Sequence, residues 1–134
     1  MEEDIIIEKF GLCPSEANRK EIRQLLELQI QTHNHDIGCG EYLRVLCFML
    51  FYIGNVEDSV LIWRAKRLNM DTGVMIDVGL CCGAGYEQTI NFIKDNATLD
   101  DMRLYLEGCN IADTEPLDKA KIVTDFMHYY GHEQ

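Results

Sequence analysis

Residues 42–53 constrain the fold of this chain more than any other segment. The segment is apolar except for Arg44 and some tyrosine hydroxyls. Twelve residues are too few for a membrane-spanning helix, which takes about 20. Because the apolar character runs almost all the way round a helix, the segment predicts a buried helix over residues 41–53 at the centre of the fold.

Apolar residues at helical spacing predict helices on both sides of this central one. Ser15 is a plausible N-cap for the first, whose inner face carries Ile22, Leu26 and Ile30. The predicted helices cover about residues 16–32, 41–53, 56–68, 72–82, 86–95, 99–108 and 115–130. The helix over 99–108 is predicted to turn four apolar residues inward, namely Met102, Leu104, Tyr105 and Leu106.

The overall prediction is an all-α fold of six to seven helices in a single domain, residues 1–134. We expect the helices to stack as antiparallel pairs, in a solenoid-like arrangement of the ankyrin or HEAT type or in an irregular bundle. Residues 1–14 are predicted to form an N-terminal arm, since Ile5, Ile6 and Ile7 are β-branched and look strand-like.

A weak internal repeat has a spacing of 30 residues. The sequence Glu57-Asp58-Ser59-Val60 aligns by residue class with Glu87-Gln88-Thr89-Ile90. Helical repeat proteins show this kind of periodicity, but so do unrelated amphipathic helices. Duplication and chance similarity both remain open.

Charge and composition exclude some classes of partner. The chain has 12 basic and 23 acidic residues and a formal net charge of −11. Nucleic acids and anionic membranes attract basic proteins, so we expect neither as a partner. The acidic start Glu2-Glu3-Asp4 lacks the positive charge of a secretory signal, which predicts a cytoplasmic protein.

The six cysteines are predicted to be reduced thiols. A cytoplasmic chain has few disulfides, and no Cys-x-x-Cys motif is present. His33, His35 and Cys39 are weak candidates for metal ligands, because imidazole and thiolate both bind zinc. A fourth ligand at suitable spacing is missing, so we predict neither a metal nor a cofactor.

The segment 63–79 contains a candidate polar site formed by Trp63, Arg64, Lys66, Asp71 and Asp77. Asp77 lies between Ile76 and Val78, and a carboxylate among apolar neighbours is costly to bury without a partner. One interpretation is a structural ion pair from Arg64 or Lys66 to Asp77. The other is a pocket that binds a polar ligand or transfers protons.

Acidic residues are concentrated near the end of the chain. Between residues 100 and 118 there are six acids against Arg103 alone, namely Asp100, Asp101, Glu107, Asp113, Glu115 and Asp118. A solvated face of one sign often serves solubility only. The alternative is a surface that attracts and binds a basic protein.

Part of the chain is similar to a group of small bacterial proteins of unassigned function. The similarity is carried by Trp63-Arg64-Ala65-Lys66, by Asp71 and Asp77, and by Gly83-Ala84-Gly85. It implies a bacterial cytoplasmic protein, and small acidic bacterial proteins often bind a basic toxin or nuclease. It assigns no substrate and no catalytic residue.

These observations favour a non-enzymatic interaction domain, of the immunity or adaptor type, that binds a basic protein through its acidic face. The second hypothesis is a small enzyme or ligand-binding protein whose site is the segment containing Trp63, Lys66 and Asp77.

Overall fold

The computed structural model describes residues 2–32, 40–109 and 118–131. Over these ranges the chain is all-α, without strands, as predicted, and it has eight α-helices rather than six or seven. They are α1 (Glu2–Phe10), α2 (Arg19–Thr32), α3 (Gly40–Ile53), α4 (Ser59–Lys66), α5 (Met70–Met75), α6 (Tyr86–Ile93), α7 (Asp100–Gly108) and α8 (Lys119–Tyr129). Short 3-10 helices at Glu16–Asn18, Val56–Asp58, Val78–Cys82 and Ala97–Leu99 connect several of them.

The predicted central helix is α3. Ten of its 14 residues are buried, and Phe48 and Phe51 are among the largest fully buried side chains of the described residues. It packs against α1, α2, α4 and α5. Since α3 contacts helices on both sides of it in the sequence, the described helices form a bundle around it.

The N-terminal segment is not the extended arm that its isoleucines predicted. It forms α1, with Ile6 and Ile7 buried against the core and Ile5 65% exposed. The β preference of isoleucine is weak and yields when a helix buries more apolar surface. Gly11, in a left-handed conformation with φ of 73°, follows the helix directly.

The helix predicted over residues 72–82 is divided in two. α5 ends at Met75, Ile76 is extended, and Asp77 is the N-cap of the 3-10 helix Val78–Cys82. The Asp77 carboxylate accepts a hydrogen bond from the Gly79 amide at 2.8 Å. Aspartate often ends a helix in this way, because its short side chain competes for backbone amides.

The C-terminal helix α8 is joined to α3 mainly through aromatic side chains. Phe126 stacks on Phe48 with ring centroids 4.1 Å apart, and the Tyr130 hydroxyl donates a 2.7 Å hydrogen bond to Glu41. At the other end of α8, the Lys119 ammonium donates a hydrogen bond to the Gly83 carbonyl at 2.9 Å.

Among the described residues, none of the helices combines the length and the apolar character needed to cross a bilayer.

Candidate functional site

The five residues of the predicted polar site have separate positions. Trp63 and Lys66 are buried on α4, while Arg64 on the same helix is exposed. Asp71 is partly buried in the first turn of α5, and Asp77 is exposed. The 3-10 helix that Asp77 caps turns its side chain towards solvent, so the carboxylate is not buried among its apolar neighbours.

Lys66 carries the main polar contacts of this region. Its ammonium donates hydrogen bonds to the carbonyl oxygens of Gly73 and Ile76, both at 2.7 Å. It also lies 5.8 Å from the centroid of the Tyr105 ring. The carbonyls at the end of a helix carry partial negative charge, so the lysine stabilises the end of α5.

Among the described residues, neither Asp71 nor Asp77 forms an ion pair with Lys66 or Arg64. Asp71 instead accepts a hydrogen bond from the Gly40 amide at 3.2 Å, which joins α5 to the start of α3. Both carboxylates therefore bind backbone amides. The contacts of these residues are those of a structural junction rather than of a pocket open to a ligand.

A buried ion cluster that sequence reasoning missed lies between α2 and the start of α4. Asp58 is 1% exposed and accepts two hydrogen bonds from Arg19, from Nε at 2.8 Å and from Nη2 at 2.9 Å. Arg23 forms a further close ion pair with the same carboxylate. The hydrogen bond from Arg19 to Asp58 raises the pKa of the guanidinium above its usual value. The spacing of Arg19 and Arg23, four residues apart on one helix face, was the available signal.

An open groove of about 580 Å³ runs beside this cluster. It is lined by charged side chains of both signs, including Lys20, Glu27 and Glu57. Within the described residues, every buried side-chain nitrogen and oxygen has a hydrogen-bond partner. Since Asp58 already satisfies Arg19 and Arg23, the groove offers no unpaired buried group to a ligand.

The acidic residues of α7 form the strongest candidate for a binding surface. The inner side of the helix buries Met102 and Leu106, whereas Leu104 is 57% exposed. The exposure of Leu104 and of Tyr105, at 43%, contradicts the prediction that both face the core. Residues three or four positions apart lie on the same side of a helix. Asp100, Asp101 and Glu107 are therefore neighbours of Leu104.

We call Leu104 with Asp100, Asp101 and Glu107 the acidic face. All three carboxylates are exposed. Arg103 lies beside them, 3.0 Å from Glu107 and 3.8 Å from Asp100. Three acids against one base leave this face with a net charge of −2, from 1 − 3.

Of the remaining predicted acidic residues, the structure describes only Asp118. Asp118 caps α8 by accepting a hydrogen bond from the Lys121 amide at 3.0 Å. Asp113 and Glu115 lie outside the described residues, as do the candidate metal ligands His33, His35 and Cys39. Within the part of the chain that the structure describes, no three His, Cys, Asp or Glu side chains are grouped as metal ligands.

The five described cysteines are Cys13, Cys47, Cys81, Cys82 and Cys109, and all five are free thiols. Three of them, Cys47, Cys81 and Cys82, are buried in the core. Burial raises the pKa of the Cys82 thiol to about 11, and it raises the pKa values of Cys47 and Cys81 as well. A thiol that stays protonated is a poor nucleophile, so these three residues act as apolar side chains.

Comparison with known proteins adds no family to this description. No protein-family model, no curated protein and no solved structure matches the chain. The similarity to small bacterial proteins remains a prediction from the sequence.

Proposed function

We propose that this chain is a non-enzymatic interaction domain that binds a basic protein partner through the acidic face of α7. The observation that carries this proposal is the position of Leu104, which is 57% exposed and has exposed carboxylates one turn before it and one turn after it along α7. In keeping with the sequence similarity, we propose a cytoplasmic protein of the immunity or adaptor type.

The acidic face has the composition of a small binding surface. Interfaces commonly place an apolar residue at the centre, where a partner excludes water from it, and polar residues at the rim. Leu104 provides the centre, and Asp100, Asp101 and Glu107 provide the rim. Burying the exposed part of a leucine contributes on the order of 1 kcal/mol to binding.

The negative charge of the acidic face favours a positively charged partner. The exposed carboxylates attract lysine and arginine, and the net charge of −11 steers a basic protein towards this chain from a distance. Because the carboxylates are solvated, they contribute more to the association rate and to specificity than to affinity. The partner that fits is a basic surface, such as one side of an amphipathic helix, with an apolar side chain or pocket at its centre.

The enzyme or ligand-binding hypothesis has less support from the geometry. The Lys66 ammonium is bound by two carbonyls, and Asp71 and Asp77 cap backbone amides. A catalytic or binding group must reach its ligand with its polar atoms, and here those atoms already have structural partners.

A peptide-binding measurement tests the proposal. The probe is a fluorescently labelled amphipathic peptide of leucine and lysine, whose binding is followed by anisotropy at low and physiological salt. We expect the double variant Leu104→Ser, Asp101→Asn to bind the peptide at least about 10-fold more weakly than the unchanged chain, and added salt to weaken binding further.

The chain offers a matched control on α1. Ile5 is 65% exposed and Glu8 lies three residues after it, so Ile5→Ser, Glu8→Gln removes the same kinds of group elsewhere. We expect the control to bind the peptide as the unchanged chain does. Equal losses in the two double variants would show a general charge effect and would overturn the proposal.

A further inference from the structure

The most exposed large apolar side chains among the described residues lie on α5. Met70 is 88% exposed and Val74 is 84% exposed. They are four residues apart in one helix and therefore lie on the same side of it. Two such neighbours form an apolar surface that the described part of the chain leaves largely uncovered.

Two unpaired arginines lie close to these residues in the sequence, at and just after the end of α4. Arg64 and Arg67 are exposed, and neither forms an ion pair with any described residue. We call Arg64, Arg67, Met70 and Val74 the basic patch. It is an unexpected feature on a chain with a net charge of −11.

The basic patch and α7 are linked through the buried Trp63. The Arg67 guanidinium lies 5.1 Å from the centroid of the Trp63 ring, and the Tyr105 ring lies 5.3 Å from the same ring. Arg67 and Tyr105 are both exposed. Tyr105 follows Leu104 in α7, so the two surfaces lie on elements that pack against the same side chain.

The two surfaces are also complementary. Each has exposed apolar side chains, Met70 and Val74 in one and Leu104 in the other, and the charges beside them have opposite sign. From this complementarity we propose that a second copy of the chain docks here, with the basic patch of each copy on the acidic face of the other. This inference rests on the proposed function to the extent that it uses the acidic face as a binding surface.

A two-fold axis makes this arrangement self-consistent. In a symmetric dimer, a contact from one surface to another is repeated in reverse, so two complementary surfaces on the same chain form two equal contacts at once. Methionine suits such a surface, because its flexible side chain adapts to the partner. The exposed α5 face would then be covered in the dimer, as would Leu104.

The dimer and the basic partner compete for the acidic face. Self-association hides the acidic face until a basic partner of higher affinity displaces the second copy. Salt affects the dimer and the complex with a basic partner in opposite directions. Two copies of charge −11 repel at long range, so moderate salt strengthens the dimer, whereas it weakens binding of a basic partner.

The test is sedimentation velocity of the full chain across a range of concentrations at about 150 mM salt, near physiological ionic strength. We expect a monomer that converts to a dimer as concentration rises, and a larger dimer fraction than at low salt. A monomer at all concentrations would overturn the inference.

Charge reversal then tests which surfaces meet. One variant carries Arg64→Glu and Arg67→Glu, and the other carries Asp101→Lys and Glu107→Lys. Each alone brings like charges together in both contacts, and we expect its dimerisation to weaken at least about 10-fold. An equal mixture of the two restores opposite charges in both contacts, so we expect the mixed dimer to form as readily as the original.

Circular dichroism melting of each variant confirms that it folds, and the α1 variant Ile5→Ser, Glu8→Gln should dimerise normally. Dimerisation that neither reversal weakens, or a mixture that stays monomeric, would contradict the proposed contact. The outcome is separate from that of the proposed function. A monomeric chain that binds the basic peptide on α7 would refute only the dimer. A monomeric Arg64→Glu, Arg67→Glu chain that does not bind the peptide would refute only the basic partner, because its acidic face is unchanged and uncovered.

Discussion

Arg19 and Asp58 are 39 residues apart in the sequence and are joined by two hydrogen bonds, from Nε to Oδ2 at 2.8 Å and from Nη2 to Oδ1 at 2.9 Å. The Asp58 carboxylate is buried, whereas the Arg19 side chain is 19% exposed. A two-pronged contact of this kind fixes the orientation of both side chains. It therefore sets the position of α2 relative to the start of α4.

We predict that Asp58→Ala destabilises the fold by about 2 kcal/mol. Removing one partner of a buried pair costs about 3–5 kcal/mol, but Arg19 and Arg23 are partly exposed and regain contact with water, which reduces the loss. The measurement is urea unfolding at neutral pH. The control is Glu57→Ala, whose carboxylate is exposed and lies 3.4 Å from Arg19; its loss should be within about 0.5 kcal/mol. Equal losses in the two variants would show that the buried pair does not stabilise the fold.

We predict that Lys66→Met destabilises the fold by about 2 kcal/mol. Methionine keeps most of the apolar volume of the side chain, but the carbonyls of Gly73 and Ile76 lose a charged donor. Urea unfolding measures the loss, and faster amide exchange in α5 would localise it. Lys94→Met, at an exposed position, is the control and should change stability little. A stable Lys66→Met protein with unchanged exchange would refute this role of Lys66.

The Tyr130 hydroxyl gives a pH-dependent contribution to stability. Burial raises the pKa of Tyr130 above its usual value of 10.0, and the hydrogen bond to Glu41 raises it further. A group whose pKa is higher in the folded state stabilises the fold fully below its unfolded pKa. That contribution is lost as the pH rises through the higher, folded value.

We therefore expect Tyr130→Phe to lower the free energy of unfolding by about 1 kcal/mol at pH 7. The difference from the unchanged chain should shrink above pH 10, in unfolding measured from pH 7 to 11. Tyr129→Phe, which removes a hydroxyl from a residue that is 62% exposed, is the control. A difference that grows with pH would contradict the predicted direction of the pKa shift.

The thiols should react in two classes. Cys109 and Cys13 are exposed, whereas Cys47, Cys81 and Cys82 are buried and their pKa values are raised. At pH 8 we expect iodoacetamide to modify the buried class at least about 100-fold more slowly than Cys109, until urea unfolds the chain. Cys13 should react more slowly than Cys109, because burial also raises its pKa. Peptide mass mapping assigns each site, and modification of Cys82 at the rate of Cys109 would be the contrary result.

Much of the helical framework was predictable. The apolar segment of α3 predicts its burial, and Asn55 caps the element that follows it. The exception is Asp77, which lies inside the continuous helix predicted over residues 72–82. Its local hydrogen bond to Gly79 ends the helix instead.

Only part of the candidate site was predictable. The excess of carboxylates near Asp100 is visible in the sequence, but Leu104 was assigned to the core because it continues the apolar pattern of α7. The structure turns Met102 and Leu106 inward and leaves Leu104 exposed. When the apolar residues of a helix cover more than one face, the sequence does not predict which of them will pack against another helix.

The sequence by itself determined the all-α class, the central position of α3 and the net negative charge. These properties depend on the periodicity, the capping and the total charge of residues near each other along the chain. Only the tertiary structure decided that Asp58 is buried under Arg19 and that Tyr105 packs against Trp63. Contacts between residues about 40 apart depend on how the helices pack, and local sequence signals end within a few turns of one helix.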